Sequence, residues 1–373
     1  MRRRHWLAGG LLAAALPAPL RALANDAPVR RGRALHFPRD HGAHLGAAIE
    51  WWYLTGELRG ADNTLFGFQI TFFRSRTGLA ETLPSRFAPR HLLFAHAALS
   101  EPGKRRHTHA QRIARWSGDE DAAPARASRH DTDLRLGGWT LQRSDERGLS
   151  LYQTRFGSGT EAADAFELQL ELRAAQPPLL QGDAGFSRKG PEEAQASHYL
   201  SEPQLQARGV LRRGGERFAV VGRAWLDHEW SDSLMHPDAV GWDWIGMNLD
   251  DGGALTAFHL RRADGSSLWA GGSHRSADGV LQIFAPESVR FTPGRLWTSA
   301  SSGAVYPLQW RIDTPVGRFQ VEALFDAQEL DSRAGTGTIY WEGLAELRDA
   351  QQQRVGSGYL EMTGYAGRLR LGA

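Results

Sequence analysis

The chain has no cysteine among its 373 residues, which excludes disulfides, thiolate nucleophiles and thiolate metal sites. A basic stripe is also missing. The formal net charge is +2, but Arg2, Arg3, Arg4 and Arg21 lie in an N-terminal leader without acids, so the remainder carries about −2 (2 minus 4). Nucleic acid is therefore not an expected partner. No apolar run beyond the leader is long enough to span a membrane. Helical periodicity with caps is scarce, with candidates only near 88–94 and 191–196. The G-x-S-x-G, P-loop, H-E-x-x-H and dinucleotide signatures are all absent, so hydrolysis by an activated serine has no support.

The leader has a basic start (Arg2-Arg3-Arg4), an apolar stretch over 6–16 and a small-x-small site at Ala22-Leu23-Ala24. It reads as a signal peptide over 1–24, giving a periplasmic or secreted protein. Arg3-Arg4-His5-Trp6-Leu7 fits a twin-arginine pattern; the alternative is a Sec signal with an arginine-rich start. With 41% apolar and 23% charged residues the chain is an ordinary globular one, and its length suits two domains.

Beyond the leader the chain reads as strands. Apolar or period-2 runs cover 51–58, 64–73, 166–172, 218–226, 242–249, 255–260, 319–324 and 359–365, separated by Gly-rich turns such as Asp251-Gly252-Gly253. Short strands and tight turns predict an all-β protein of barrels or sandwiches. The irregular stretch after Gln176-Pro177-Pro178 suggests a boundary, giving domains 25–205 and 206–373. The segment 101–129 reads as a surface excursion. A faint echo between the segments starting at Tyr53 and Tyr340 is compatible with two copies of one barrel type.

Of the twelve tryptophans left after the leader's Trp6 (13 minus 1), seven fall in three segments that also carry acids. These are Glu50-Trp51-Trp52-Tyr53, Trp225 to Trp230 with Trp242-Asp243-Trp244, and Tyr340-Trp341-Glu342. Indole faces hold apolar or cationic groups, and a desolvated carboxyl beside them becomes an acid near neutrality. Alternation puts Trp225, Asp227 and Glu229 on one face and Leu226, His228 and Trp230 on the other. It likewise separates Glu50 and Trp52 from Trp51 and Tyr53, and groups Tyr359, Glu361, Thr363 and Tyr365 in one polar-aromatic stripe. Asp243 shares its face with Ile245 and Met247, so it must be paired (Arg223, Arg261 or Arg262), protonated or at an exposed end. His36, His41 and His44, and the pair His107 and His109, have spacings open to metal, but the expectation is hydrogen-bonded loop histidines and no metal or other cofactor.

These segments resemble a known family, the secreted AttH-like proteins and the bacterial carotenoid 1,2-hydratases (CrtC-type). The matching stretches are 36–44, 50–56, His96-Ala97-Ala98-Leu99-Ser100, 222–230, Gly241-Trp242-Asp243-Trp244, 249–252, Tyr340-Trp341-Glu342-Gly343 and 358–365. The resemblance implies two lipocalin-like antiparallel β-barrels packed side by side with few short helices, their shared residues near the interface. It also implies binding of an apolar, isoprenoid- or lipid-like ligand, with acid-catalysed hydration of an alkene as the enzymatic reading. In that reading Asp227 donates the proton and Glu229 or Asp243 positions water. The ligand walls would come from Glu50, Trp51, Trp52, Tyr53, His96, Trp225, His228, Trp230, Trp242, Trp244, Trp341, Glu342, Tyr359, Glu361 and Tyr365. Two alternatives stand beside it: a non-catalytic periplasmic binder serving an ABC-type transporter permease, and a carbohydrate-active hydrolase with two acids across an open cleft.

Overall fold

Alternation drives the strands. In Phe166–Arg173 the residues Phe166, Leu168, Leu170 and Leu172 are buried while the intervening polar side chains reach outward. The computed structural model describes residues 28–368 apart from 84, 86, 122–123, 160–163, 234 and 334; the expected leader lies outside them. Described helical structure is limited to three short 3-10 turns, at Arg39–His41, Pro102–Lys104 and Pro286–Ser288.

The first sheet opens as a meander of β1 (Ile49–Gly60), β2 (Leu65–Arg76), β3 (His91–Glu101) and β4 (Arg106–Trp116). Then come β5 (Ala125–Ala127), β6 (Asp133–Leu136), β7 (Trp139–Glu146), β8 (Leu149–Gly157) and β9 (Phe166–Arg173). Short β10 (Leu179–Leu180) and β11 (Phe186–Arg188) flank the long β12 (Ala196–Arg213), and β13 (Glu216–Ser231) returns to pair with β1. The hydrogen-bonded order is β4-β3-β2-β1-β13-β12-β9-β8-β7-β6-β5, and the edges β4 and β5 approach each other to nearly close a barrel.

The second sheet repeats this connectivity. It starts with β14 (Gly241–Leu249), β15 (Ala254–Arg261), β16 (Ser267–Arg275) and β17 (Leu281–Phe284), then β18 (Arg290–Pro293). A separate ribbon pairs β19 (Leu296–Thr298) with β20 (Val305–Pro307). The sheet ends with β21 (Gln309–Thr314), β22 (Gly317–Ala323), β23 (Glu329–Ser332), β24 (Thr338–Arg348) and β25 (Arg354–Met362), and β25 pairs with β14.

Four sequence expectations change. The stretch 88–94 is not a helix, because its apolar residues feed β3, which is paired on both sides by β2 and β4. Nor is 191–196, a loop closed by a hydrogen bond from the Lys189 amide to the Gln195 carbonyl. The segment 101–129 is no excursion: β4 pairs with β3 along its length. Hydrogen bonding also keeps β12 and β13 in the first sheet, so the sheets divide at 232–240 rather than at 205/206. The echo joins β1 to β24, whereas by connectivity the counterpart of β1 is β14, since each pairs with the last strand of its sheet.

Both barrel interiors are filled. Trp52, Leu54, Phe68, Phe72 and Leu226 belong to the first core, and Ile245, Met247, Trp341, Leu360 and Met362 to the second. At one end of the first barrel the core gives way to ions. Fully buried Glu50 accepts from Arg74 Nε at 2.9 Å and bonds His44 Nδ1 at 2.8 Å and His228 Nε2 at 2.9 Å. The other His44 nitrogen lies 2.9 Å from Asp40 Oδ1, and the indole of Trp230 stacks on the His44 ring at 3.6 Å. Burial alone would raise the Glu50 pKa, but the bonds from His228 and His44 and the charge of Arg74 hold it well below the carboxylate range. Removing one partner should therefore be costly. Arg74→Met is expected to lose about 3–5 kcal/mol in urea unfolding, and Glu50→Gln/Arg74→Met to recover part of that loss. A wild-type midpoint for Arg74→Met would show that Glu50 does not depend on this pair.

Candidate functional site

The same alternation that fills the first barrel aims the opposite residues of β1 and β13 outward. Register places Trp51 across from Glu229 and Tyr53 across from Asp227. These positions extend into two rows across the sheet: His96, Thr71, Tyr53, Asp227 and Ser201, then Phe94, Phe73, Trp51, Glu229 and Tyr199. On the second barrel Trp244 pairs with Glu361, which pairs in turn with Glu342. The two outward faces meet around a cavity. Its empty space is about 1120 Å³ with the mouth included, of which about 130 Å³ is open to the centre of a water molecule, so it is narrow. Close approach of the barrels needs small residues: a Cβ on Gly67 would lie 2.9 Å from the Tyr359 hydroxyl.

Asp227 is held by three donors. Ser201 Oγ and Trp225 Nε1 reach Oδ1 at 2.6 and 2.7 Å, and the Tyr199 hydroxyl reaches Oδ2 at 2.7 Å. Trp244 Nε1 donates to the Tyr199 hydroxyl at 3.2 Å. Burial pushes the Asp227 carboxyl up, those donors pull it down, nearby Glu229 adds to the rise, and the outcome is about 7. Glu229 accepts from Ser197 Oγ and forms an ion pair with Lys189 Nζ at 3.0 Å. The Lys189 ammonium sits over the rings of Tyr199 and Phe258 at 4.5 and 4.4 Å.

The second barrel supplies its own carboxyl pair. Burial raises both Glu342 and Glu361, and the negative charge each meets raises them further: Glu361 acts on Glu342, and Asp227 and Glu229 act on Glu361. Tyr340, beside Glu342, bonds His96 Nδ1 at 2.8 Å, and His96 Nε2 lies 2.9 Å from Ser332 Oγ. Burial keeps His96 neutral, its pKa down at about 3. Ser332 spends its O–H on Gln111 Oε1, so the neutral ring's Nε2–H donates to Ser332 and its Nδ1 accepts from the Tyr340 hydroxyl.

Of the residues expected at the site, Trp51, Tyr53, His96, Asp227, Glu229, Trp242, Trp244, Glu342 and Glu361 line the cavity. Trp225 and Tyr359 lie beneath it, in the apolar cluster between the barrels. The others are elsewhere. Glu50, Trp52, His228 and Trp230 point into the first barrel, and Trp341 into the second, where its indole donates to the Asp326 carbonyl. Asp243 faces the second barrel's interior, bound to Arg261 Nε at 2.7 Å and His259 Nε2 at 2.6 Å, so it cannot position water in the cavity. Tyr365 donates to Asp243 at 3.0 Å; the stripe from Tyr359 breaks because β25 ends at Met362 and Gly364 turns the chain at φ +78°. Sequence reasoning missed Lys189, Tyr199, Phe258 and Tyr340. Tyr340 could have been found, since it shares a strand face with Glu342.

One other group merits a metal test. His44 Nδ1, Glu50 Oε1 and His228 Nε2 lie within 4.8 Å of one another. These atoms already hydrogen-bond each other and Arg74 occupies the second Glu50 oxygen, so the donor set fits an ion cluster better than a metal.

The chain belongs to the AttH-like family, whose model matches residues 28–365. It is similar to the crystal structure of an AttH-type protein from Nitrosomonas europaea, with 47% identity, TM-score 0.82, and coverage of 91% of this chain and 99% of that one. It is similar in fold to kievitone hydratase from Nectria haematococca (15% identity, TM-score 0.67, 92% and 97% covered). The same holds for CghA bound to Sch210972 (12% identity, TM-score 0.54, 92% and 97% covered). No curated protein matches the chain. The fold is thus the all-β, lipocalin-like two-barrel fold that kievitone hydratase also has.

The raised Asp227 carboxyl has a thermodynamic signature. Its folded pKa of about 7 lies above the ordinary 3.8, so between these values the folded state binds the extra proton. Stability from this group is full below about pH 4 and is lost as pH rises through 7, by about 4 kcal/mol in total. Asp227→Asn is expected to shrink the drop in unfolding free energy between pH 5 and pH 8 by roughly 2–3 kcal/mol. Parallel pH profiles for variant and wild type would mean that Asp227 is ionised in both states.

Proposed function

We propose that this protein binds an apolar, alkene-bearing ligand, isoprenoid- or lipid-like, between its barrels and hydrates it by acid catalysis. The observation carrying this reading is Asp227: shielded from bulk water, facing the cavity, and protonated up to about pH 7. The Asp227 O–H proton passes to one alkene carbon, where the π pair forms the new C–H bond. The neighbouring carbon becomes cationic against the faces of Trp51, Trp242 and Trp244. Water held at Glu229 adds through oxygen, forming the C–O bond, and gives its surplus proton to that carboxylate. Transfer of this proton back to Asp227 completes the addition of one water. Lys189 and Ser197 hold Glu229 in place for its role.

Kievitone hydratase, a hydratase by name, is built on the same fold, which supports the reaction class but not a substrate. A carbohydrate hydrolase fits less well, because the cavity is narrow and lined mainly by aromatic and apolar side chains. The leader supports export to the periplasm, by a Tat or Sec route. A carrier serving an ABC-type transporter would use the same walls without needing a protonated acid among them.

The test is to recover the protein from its own host, identify retained ligand by native mass spectrometry, and assay hydration of it. Asp227→Asn is expected to cut turnover by about 10²–10⁴-fold while the ligand still binds. Undiminished turnover removes Asp227 as donor, and a ligand that is bound but never altered favours the carrier.

A further inference from the structure

Indole and phenyl walls suit a hydrocarbon, yet the part of the cavity where β1 and β2 face β24 is built for something else. The Tyr53 hydroxyl and Glu342 Oε1 are both buried and complete no hydrogen bond, and neither does Gln69 Oε1 just behind them. Tyr53 and Glu342 influence each other's protonation through a loose hydroxyl–carboxyl contact, but neither Tyr53 Oη nor Glu342 Oε1 completes a hydrogen bond. Tyr53, Gln69 and Glu342 are 7%, 1% and 3% exposed, so bulk water does not compensate these atoms. Buried polar atoms are nearly always paired, and leaving one bare costs about 1–3 kcal/mol. Three bare atoms, two of them beside Tyr340 and the third beside Glu342, need a common explanation. Tyr340 itself has spent its O–H on His96 Nδ1, so its oxygen can only accept.

The donor and acceptor types define what fits. Tyr53 O–H can donate, while Tyr340 Oη, Gln69 Oε1 and Glu342 Oε1 can accept. A group that both accepts and donates satisfies this set, whereas a methyl or methylene group satisfies none of it. A carboxylate would bring a charge into this buried space, where Lys189, the cation among the lining residues, is already committed to Glu229. Burying a charge without a partner is costly.

We propose that Tyr53, Tyr340 and Glu342 form a subsite for a neutral hydroxyl group, so that the ligand is an apolar alkenyl alcohol or phenol rather than a plain hydrocarbon or a fatty acid. This rests on the reading of the cavity as a ligand site and adds the polar end that orients the ligand. The hydroxyl sits between Tyr53 of the first barrel and Tyr340 and Glu342 of the second, and the chain of the ligand extends from there so that its alkene meets Asp227. A site that hydrogen-bonds a substrate hydroxyl rejects the analogue lacking it, because its own polar atoms are then left bare.

Three probes of one skeleton test this: geraniol, its hydroxyl-free counterpart 2,6-dimethylocta-2,6-diene, and geranate. Binding is read from the emission of Trp51, Trp242 and Trp244 in the intact protein. Geraniol is expected to bind at least about tenfold more tightly than the hydrocarbon, and geranate most weakly. Tyr53→Phe, which removes one oxygen, should bring geraniol and the hydrocarbon close to parity, and Glu342→Leu should do the same independently. Equal affinities in the wild type, or a preference untouched by both variants, overturn the hydroxyl subsite and leave the proposed function standing. Geranate binding as well as geraniol overturns the exclusion of anions. If none of the three binds, the cavity is not a site for apolar ligands and both proposals fall together.

Discussion

A carboxylate with no exposure, Glu50, is the constraint around which the first barrel is arranged. Burying an unpaired charge costs more than a domain's usual net stability, so Arg74, His44 and His228 must all be in place for the chain to fold as it does. Those partners come from β2, the segment before β1, and β13. Their convergence fixes the register of β1 against β13, because a slip of one residue would turn Glu50 outward and Trp51 inward. The ion cluster contributes nothing directly to the cavity. Its effect is to decide which residues of the same two strands are left for it.

The cavity then arises from packing. Both barrels pack their described interiors with apolar side chains, largely Trp, Phe and Leu in the first. Space remains where two curved outer faces meet and cannot match over their whole area. Each barrel brings a carboxyl pair to that space, Asp227 with Glu229 and Glu342 with Glu361. Four acids cannot all ionise in one dry volume. Lys189 compensates one of them, and the others keep their protons to higher pH than in water. An acid near neutrality thus arises from crowding and desolvation.

Much of this was legible in the sequence. Strict alternation separated Asp227 and Glu229 from His228, and Trp51 from Trp52, as the strands then do. The resemblance carried the two-barrel fold, and the misplaced Asp243 was visible as a charge on an apolar face with Arg261 among its candidate partners. Alternation does not say which face looks into a barrel and which looks out, so both faces of β1 and β13 entered the expected ligand walls. That is why Glu50, Trp52, His228 and Trp230 were assigned to the cavity walls although they face the first barrel's interior. Tyr199 and Lys189 needed knowledge of pairing between distant segments, and Lys189 lies in a stretch without any period. The Ala- and Leu-rich β3 read as helical at its start because local propensity is weak beside a strand paired on both sides.

The stretch that read as a linker has the opposite role. Residues 176–195 stay paired to the first barrel through β10 and β11 and also bind the second at successive points: Gln176 to the Ala277 carbonyl, Gln181 to Ser273, and the Arg188 carbonyl to the Trp269 indole. The Arg188 guanidinium also lies over Trp269 at 4.4 Å. Lys189 is the next residue, and its ammonium reaches Glu229 because its neighbour is anchored to the other barrel. Relative movement of the barrels would therefore shift the cation that compensates one of the four acids, and with it the protonation of the rest. A chain without disulfides keeps its cavity chemistry constant by tying that one charge to both halves of the molecule.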